Sequence, residues 1–304
     1  MTYQIDFFKG PPDDEAISFI KYFERLALQY DQRGYCVCTS EGKDSRVLGH
    51  LFRRAGVKHF YLHSITGIDP PELTYFQRRN FQEYKDQGYL CYDIMPRKSM
   101  VRMMQERKIP PLRQVRYCCS ELKEVRTKEQ GTAILSFGVR KYESVKRKKN
   151  RDEMEIVKPG KKQNIIMPFD NEESRREFED CYTFREKRVN PIAYWTDADI
   201  WNYSDYWKLE QSELYQEGFK RLGCIGCPMA GECERKREFK RWPGFKKMYL
   251  LGFRKMLEAR KVAGLEILPG METPEKWFEW WVSDNAYKTK WEGQLELDIG
   301  DYEY

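Results

Sequence analysis

The sequence predicts an α/β fold, a doubly wound and mostly parallel sheet followed by a helical C-terminal part. Apolar runs alternate with segments of helical spacing from Gly34 to residue 137, and this alternation indicates parallel strands covered by helices. The 304 residues are 40% hydrophobic and 34% charged, which supplies a packed core and excludes a wholly disordered chain. After residue 196 the spacing is helical and rich in tryptophan. We therefore predict one domain at residues 1–195 and a helical region at residues 196–304.

The predicted elements of the first domain begin as helix, strand, turn and helix. Asp13–Tyr30 has the apolar spacing of an amphipathic helix, and the short buried strand Tyr35–Thr39 ends in turn residues. Helix Ser45–Ala55 comes next, and Gly56 ends it. The remaining predicted elements are, in chain order, strand Val57–Leu62, helix Leu73–Phe81, strand Tyr89–Met95, a helix ending at Lys108, strand Thr132–Phe137, an exposed basic loop at residues 145–162 and a helix capped by Thr196.

The distribution of apolar residues and cysteines limits the classes of protein. The longest apolar run, Met248–Phe253, has six residues, whereas a membrane span needs about 18. The first residues lack the basic and apolar regions of a signal peptide. Nine cysteines, an odd number without an export signal, favour metal or redox chemistry over disulfides. We expect a cytoplasmic protein without membrane contact, and the net charge of +6 weakly favours a polyanionic partner.

The turn after the first strand has the chemistry of an anion site. The segment Thr39–Ser45 joins a buried strand to a helix, and the first N–H groups of a helix lack intrahelical partners and attract anions. Gly42 allows close approach of the backbone to a ligand. Hydroxyl groups and a positive charge come from three neighbours, Ser40, Lys43 and Ser45. These residues fit both a phosphate cradle and a solvated turn with an ordinary helix cap.

Two arginines and an aspartate add candidates for the same site. Arg140 follows the predicted strand Thr132–Phe137 and would lie at the carboxyl edge of the sheet, where α/β folds bind ligands. A guanidinium there suits a phosphate or sulfate, and Arg147 would supply a second. An ion pair with Glu143 is the alternative for both arginines. Asp44 is a candidate oxygen ligand for Mg²⁺.

Four thiols occur in two pairs, the adjacent Cys118 and Cys119 and the C-x-x-C of Cys224 and Cys227. Four thiolates suit tetrahedral zinc or a [4Fe–4S] cluster. Two further cysteines are alternative members of the quartet, Cys181 and Cys233. Cysteines on predicted strands are expected to pack in the core, and these are Cys36, Cys38 and Cys91.

Five ordered motifs between residues 34 and 230 resemble those of the phosphoadenylyl-sulfate (PAPS) reductase family of the PP-loop adenine-nucleotide α-hydrolase superfamily. They are S-E-G-K-D-S at 40–45, T-G-I-D-P-P-E at 66–72, C-C-S-E-L-K at 118–123, G-V-R-K-Y-E-S at 138–144 and N-P-I-A-Y-W-T-D-A-D-I-W at 190–201. Glu41 departs from the pattern, because the family's loop has two adjacent glycines. The resemblance implies catalytic roles for Lys43, Asp44 and Arg140. It implies nucleotide contacts for Ser40, Gly42, Lys43, Asp44, Ser45, Asp69, Arg140 and Arg147; for Asp69 and Glu72 the alternative is helix capping.

The resemblance also implies a cofactor and an activity. In the family, the tandem pair and the C-x-x-C hold a [4Fe–4S] cluster beside the nucleotide, which assigns the cluster here to Cys118, Cys119, Cys224 and Cys227. Sulfonucleotide reductases carry a nucleophilic cysteine near the C-terminus, whereas no cysteine follows Cys233 in this sequence. We therefore expect an ATP pyrophosphatase that adenylates an acceptor for sulfur transfer, in nucleic-acid thio-modification. This use is similar to that of the ATP-pyrophosphatase component of DNA phosphorothioation systems and of tRNA thiolases.

Two alternatives of different class stay open. One is a sulfonucleotide reductase that forms sulfite from PAPS or adenylyl sulfate, and the other is a non-catalytic sensor that binds nucleotide and cluster. The expected cofactors are a [4Fe–4S] cluster, ATP (or PAPS or adenylyl sulfate) and Mg²⁺. Candidate partners are DNA or tRNA bound by the basic loop at residues 145–162, a sulfur-donor protein such as a cysteine desulfurase, and a second copy of the chain in a homodimer.

Overall fold

The computed structural model describes residues 13–124, 133–157, 164–180, 186–267 and 269–283. The helices α1–α12 are, in chain order, Asp13–Tyr22, Glu24–Tyr30, Lys43–Ala55, Pro71–Asp86, Met100–Arg107, Tyr117–Cys119, Val145–Asn150, Glu172–Asp180, Asp197–Tyr206, Glu232–Arg241, Pro243–Val262 and Pro274–Val282. The strands β1–β7 are Tyr35–Thr39, His59–Ser64, Cys91–Ile94, Leu135–Phe137, Met154–Val157, Ile165–Met167 and Glu186–Val189. A π-helical turn spans Ser120–Glu124, and 3₁₀ turns span Lys141–Glu143 and Glu213–Tyr215. No helix in these ranges is both long and apolar enough to cross a bilayer.

Within the described residues seven strands form one sheet in the order β3-β2-β1-β4-β7-β5-β6. The first five in that order are parallel, and β5 runs antiparallel to both β7 and β6. This confirms the predicted α/β class with a mostly parallel sheet. The strand order reverses between β1 and β4, and sheets of this kind bind ligands at the carboxyl ends of the strands beside such a reversal. Cys38 is paired with Phe137 at that end, so the segments that follow β1 and β4 begin side by side.

Side chains of β1 alternate between the two faces of the sheet, as the two-residue period of a strand requires. Tyr35 and Val37 pack in a first core with residues of α1 and α3, whereas Cys36 packs in a smaller core with residues of β2, β3 and β4. Phe52 of α3 is fully buried in the first core. Burial of one such side chain stabilises the fold by about 1.5–3 kcal/mol. The hydrophobic face of α3 therefore fixes the helix, and the loop before it, against the sheet.

A second core joins the C-terminal helices to α5 and α6. Met104 of α5 packs there with Phe253 and Met256 of α11, and Cys118 belongs to the same cluster. Gly252 allows this approach of α11 to α5, because a Cβ at residue 252 would lie 2.8 Å from the Met104 sulfur. The domain boundary at residue 195 stays a prediction. Tyr203 of α9 belongs to the first core although it follows residue 195 in the chain. The first core therefore contains residues from both sides of the predicted boundary.

The structure corrects two predicted elements. The helix predicted at Asp13–Tyr30 is two helices, α1 and α2, separated by the buried Phe23. The basic loop predicted at residues 145–162 is wrong over most of its length, because α7 and β5 occupy it. Met154 and Ile156 are fully buried in the first core. Their alternation is too short, and too closely flanked by charged residues, to have predicted a strand. Residues 158–163 lie outside the described residues.

Candidate functional site

The loop between β1 and α3 is fastened by its own hydroxyl groups. The Ser45 side chain donates to the carbonyl of Gly42 (3.0 Å) and accepts from the backbone N–H of Ser40 (3.2 Å). Ser45 is buried, while Ser40 is exposed. The start of α3 also has a partner that is distant in the sequence, because the backbone N–H of Lys43 donates to the Tyr215 hydroxyl (2.9 Å). Burial raises the pKa of Tyr215 above its usual range, so this hydroxyl remains neutral at physiological pH.

Four charged side chains, Lys43, Asp44, Arg140 and Asp197, meet at the carboxyl ends of β1 and β4, and we call them the charged cluster. Lys43 Nζ lies 3.3 Å from the Asp44 carboxylate and 2.9 Å from that of Asp197. Arg140 Nε donates to Asp44 (2.6 Å), and Arg140 Nη2 donates to Asp197. Lys43 and Arg140 are only 5% and 3% exposed. The structure therefore brings the three predicted catalytic residues together and adds Asp197.

Gly138 explains why the segment after β4 can approach the loop after β1. A Cβ at residue 138 would lie 3.1 Å from the carbonyl carbon of Asp44 and 3.2 Å from the backbone nitrogen of Ser45. Both are main-chain atoms at the start of α3, which packing holds in place. The absence of a side chain at Gly138 lets Arg140, two residues later, reach Asp44.

Arg147 lies at the border of the charged cluster. It forms an ion pair with Glu143, which is the alternative that the sequence left open, while the backbone N–H of Arg140 donates to the same carboxylate (3.1 Å). Burial, followed by repulsion from Arg221 and Arg151, lowers the pKa of Arg147 to about 10. The guanidinium groups of Arg147, Arg151 and Arg221 thus lie near one another at this border of the cluster.

Asp69 and Glu72 connect the turn after β2 to the C-terminal helices rather than to the charged cluster. Asp69 accepts from the backbone N–H of Thr66 (3.0 Å), and its other oxygen lies 4.0 Å from the Cys224 sulfur. Glu72 accepts from the Trp242 indole N–H (3.0 Å) and pairs with an arginine of α10. Both carboxylates are thus engaged with the second core and with the loop that carries Cys224 and Cys227, which we call the cysteine loop.

The four cysteines predicted as ligands, Cys118, Cys119, Cys224 and Cys227, share one region at the edge of the second core, and we call them the thiol group. A hydrogen bond to Cys119, followed by burial and the charges of the other two thiols, raises the pKa of Cys118 far above its usual range. Burial raises the pKa of Cys224 to about 11. The charge of Cys224, together with that of Asp69, Cys119 and Cys227, raises the pKa of Lys123. The Lys123 ammonium therefore lies among these thiols.

The donor set of the thiol group fits an iron–sulfur cluster, since thiolates are the ligands that such clusters take. Across the described residues, however, no three side chains of His, Cys, Asp or Glu are close enough together to hold a metal ion as they stand. Cys233 is exposed in the first turn of α10, and Cys181 lies outside the described residues. Cys36 is buried in the sheet, while Cys38 and Cys91 are half-buried against cores on its two faces.

The model of the phosphoadenosine phosphosulfate reductase domain matches residues 34–230. The chain belongs to this family. An uncharacterized protein of Methanocaldococcus jannaschii is 29% identical over 138 residues, which are 42% of this chain and 24% of that protein. Adenosine 5'-phosphosulfate reductase 1 of Bacillus subtilis is 30% identical over 64 residues, 21% of this chain and 28% of the enzyme. The chain thus spans about a quarter of the length of these curated relatives. The structure of a PAPS reductase from Candida auris aligns with a TM-score of 0.44 at 16% identity, over 67% of this chain and 87% of that one.

This PAPS reductase-like member of the adenine-nucleotide α-hydrolase superfamily replaces a glycine of the family loop with Glu41. Glu41 has a left-handed backbone with φ of 55°, whereas Gly42 has φ of −73°, so the left-handed residue of the loop is not its glycine. The buried Glu41 carboxylate accepts from Thr39 (2.8 Å) and Asn80 (2.7 Å) and lies 3.6 Å from Arg46. These partners offset the backbone strain of about 1–2 kcal/mol that a side chain causes there.

Sequence reasoning missed three residues of this PAPS reductase-like site. Tyr215 and Arg221 lie on segments without a motif, more than 170 residues after Lys43 in the chain, and reach the site only through the fold. Asp197 lies inside the recognised W-T-D segment, but its neighbours indicated only a helix cap. That cap is present, because the Thr196 hydroxyl accepts from the backbone N–H of Asp199 (3.2 Å). The sequence signal for Asp197 was a carboxylate next to a helix cap. Carboxylates occur at many helix starts, so this signal does not distinguish a site residue.

Proposed function

We propose that the chain is an ATP pyrophosphatase that adenylates an acceptor oxygen and so prepares that acceptor for exchange with sulfur. The observation that carries the proposal is the charged cluster, in which two enclosed cations, Lys43 and Arg140, meet beside the strand reversal of an adenine-nucleotide fold. Enclosed cations fixed before the ligand arrives stabilise negative charge that develops on a phosphate during reaction. The position and sign of the cluster therefore suit cleavage of a nucleoside triphosphate.

The reaction divides between the residues of the cluster and its border. Lys43 and Arg140 would bind phosphate oxygens, and Arg147 would add charge at the border. Asp44 would become a ligand of the Mg²⁺ that accompanies the nucleotide. The acceptor oxygen forms a bond to the α-phosphorus, the bond from that phosphorus to the β-phosphate oxygen breaks, and pyrophosphate leaves with the electron pair. The acceptor loses its proton to solvent or a bound base, and a sulfur nucleophile later displaces AMP.

The proposal includes a [4Fe–4S] cluster held by Cys118, Cys119, Cys224 and Cys227. When bound, such a cluster would supply a redox-active or sulfur-binding centre. The residues of this chain would contribute a balancing charge and the position of the cysteine loop. Lys123 balances the negative charge of the thiolates, and Asp69 keeps the cysteine loop beside the turn after β2 through its approach to Cys224.

A nucleic acid is the acceptor class that we favour. The helix α7 continues from the site-bordering Arg147 into Lys148 and Lys149, which are exposed. A phosphate backbone along this helix would bring an acceptor base to the charged cluster. Contacts of this kind depend on counterion release, so binding would weaken steeply with added salt.

The deciding experiment is release of pyrophosphate from ATP and Mg²⁺ by protein purified without oxygen, with and without DNA or tRNA. We expect release in the wild type and its loss in Lys43→Met, because the variant removes one enclosed cation from the cluster. Lys98→Met is the matched control, since Lys98 pairs with Glu106 near α5 and contacts no cluster residue. An inactive wild type that carries its full complement of iron would contradict the proposal.

Sulfonucleotide reduction is the second candidate, favoured by the relatives named adenosine 5'-phosphosulfate reductase. In that reaction a cysteine thiolate attacks the sulfur of the sulfonucleotide, the nucleotide phosphate leaves, and a thiol reductant then releases sulfite. The exposed Cys233 is an accessible thiol among the described residues. Sulfite formed from PAPS or adenylyl sulfate without ATP would support this candidate. Nucleotide binding that yields neither sulfite nor pyrophosphate would indicate a sensor.

A further inference from the structure

Asp197 has an unusual combination of contacts and exposure. Its carboxylate accepts from both enclosed cations of the charged cluster, Lys43 (2.9 Å) and Arg140. Yet 69% of the Asp197 side chain is exposed, against 22% for Asp44. An exposed carboxylate therefore caps the solvent side of a pair of buried cations.

Charge balance explains why a carboxylate occupies this position. Burying a cation without a partner is costly, and Asp44 supplies only one negative charge for the two cations Lys43 and Arg140. Asp197 supplies the second. Asp44 belongs to the first turn of α3 and also contacts both cations, so it is part of the floor of the cluster.

The attachment of Asp197 lets its side chain leave while its backbone stays. It is the first residue of α9, whose start is held by reciprocal hydrogen bonds between Thr196 and Asp199. Because the side chain faces water, a change of rotamer would move the carboxylate into solvent without unpacking a core. The cations cannot follow, since both are enclosed by protein.

We propose that Asp197 is a displaceable stand-in for a phosphate group: it occupies the two cations in the free protein and leaves when a polyphosphate binds. The inference rests on the proposed function, because it requires that the charged cluster binds phosphate. It adds a selectivity: a ligand must bind both cations better than a tethered carboxylate does. A pyrophosphate group, with oxygens for both cations, meets that condition more readily than a single carboxylate or a monoanionic phosphate ester.

The test is calorimetric titration of the full-length protein with inorganic pyrophosphate, without Mg²⁺. Asp197→Asn keeps the shape of the side chain and removes its charge, so the cations become available more of the time. We expect pyrophosphate to bind about three- to tenfold more tightly, as for a site freed from a competing state. Asp205→Asn is the matched control, because Asp205 is an exposed carboxylate on the same helix that contacts no cluster residue. It should bind pyrophosphate as the wild type does.

The outcomes separate this inference from the function on which it rests. Binding that is equal or weaker in Asp197→Asn, with the wild type binding pyrophosphate, would show that Asp197 does not compete with phosphate for the cations, and the inference would be wrong. Absence of binding in wild type and both variants would overturn the phosphate site itself and the inference with it. Asp197→Ala provides a second test should the asparagine variant fail to fold, and the same gain in affinity is expected.

Discussion

The charged cluster and the thiol group differ in how completely their side chains are assembled by the protein chain alone. In the charged cluster two cations and two carboxylates already make direct contacts, at 2.6–3.3 Å where Asp44 is the partner. In the thiol group Cys119, Cys224 and Cys227 all contribute to the raised pKa of Cys118, but no three metal-binding side chains of the described residues are gathered around one point. The contacts of the charged cluster are thus already formed, whereas the cysteines of the thiol group, within the described residues, lie close but are not yet gathered around one point.

The elements that carry each group account for this difference. Lys43 and Arg140 follow adjacent parallel strands, whose register fixes the two segments side by side. Cys118 lies on the short helix α6, and Cys224 lies in a loop that the chain reaches about a hundred residues later. A sheet holds its strand ends through hydrogen bonds, while a loop is held by fewer contacts. We therefore expect the proposed nucleotide site to be preorganised and the proposed metal site to become rigid only when it is filled.

The largest expected effect is the loss of activity in Arg140→Gln. The variant keeps a hydrogen-bond donor but removes the charge that contacts Asp44 and Asp197. Loss of one fixed electrostatic contact to a reacting phosphate lowers kcat by about 10²–10³-fold. Release of pyrophosphate from ATP measures it, and Arg79→Gln is the control, because Arg79 pairs with Glu210 on the outside of α4. Activity within twofold of the wild type would show that the charged cluster is not the site of reaction.

The next effect separates the two groups. Cys224→Ser should lose most of the bound iron and its brown colour, because one of four thiolate ligands is gone. Pyrophosphate binding by the charged cluster should stay unchanged if the two groups are built independently. Cys233→Ser is the matched control and should keep its iron. Iron lost from Cys233→Ser but retained in Cys224→Ser would assign a different quartet, and stoichiometric zinc in a colourless protein would exclude the cluster.

The same division decides what the sequence could predict. β1 was predicted with its true bounds, and the loop and helix after it form as expected, because the apolar pattern and the turn residues are local. Asp197, Tyr215 and Arg221 reach the site only through tertiary packing, which no local pattern reports. β5 was missed because its apolar residues, Met154, Ile156 and Val157, form too short a run among charged neighbours. Local sequence patterns thus predicted the part of the charged cluster that lies on the loop and helix after β1. The contributions of Asp197, Tyr215 and Arg221 depend on the tertiary fold.

A third prediction concerns the contribution of Glu41, in the loop before α3, to the stability of the fold. Glu41→Gly restores the glycine of the family and relieves the left-handed backbone, but it leaves Arg46 and Asn80 without a buried carboxylate partner. Breaking a buried ion pair costs about 3–5 kcal/mol, and the relief of strain returns about 1–2 kcal/mol. Urea unfolding should therefore show a net loss of stability. Glu41→Gln keeps the strain and the hydrogen-bond geometry, so it isolates the effect of the charge. A glycine variant more stable than the wild type would show that the contacts of the Glu41 carboxylate do not offset the backbone strain.

The smallest expected effect tests how closely the segment after β4 fits the loop after β1. Gly138→Ala places a Cβ 3.1 Å from the carbonyl carbon of Asp44, and overpacking against backbone costs about 1–3 kcal/mol. Because the strain falls between Asp44 and Arg140, pyrophosphate binding should weaken along with the free energy of unfolding. Gly244→Ala is the control, since its Cβ would meet nothing within 4 Å at the start of α11. If the Gly138 variant loses stability but keeps full affinity, the charged cluster tolerates displacement of its strands, and pyrophosphate binding does not depend on this close approach.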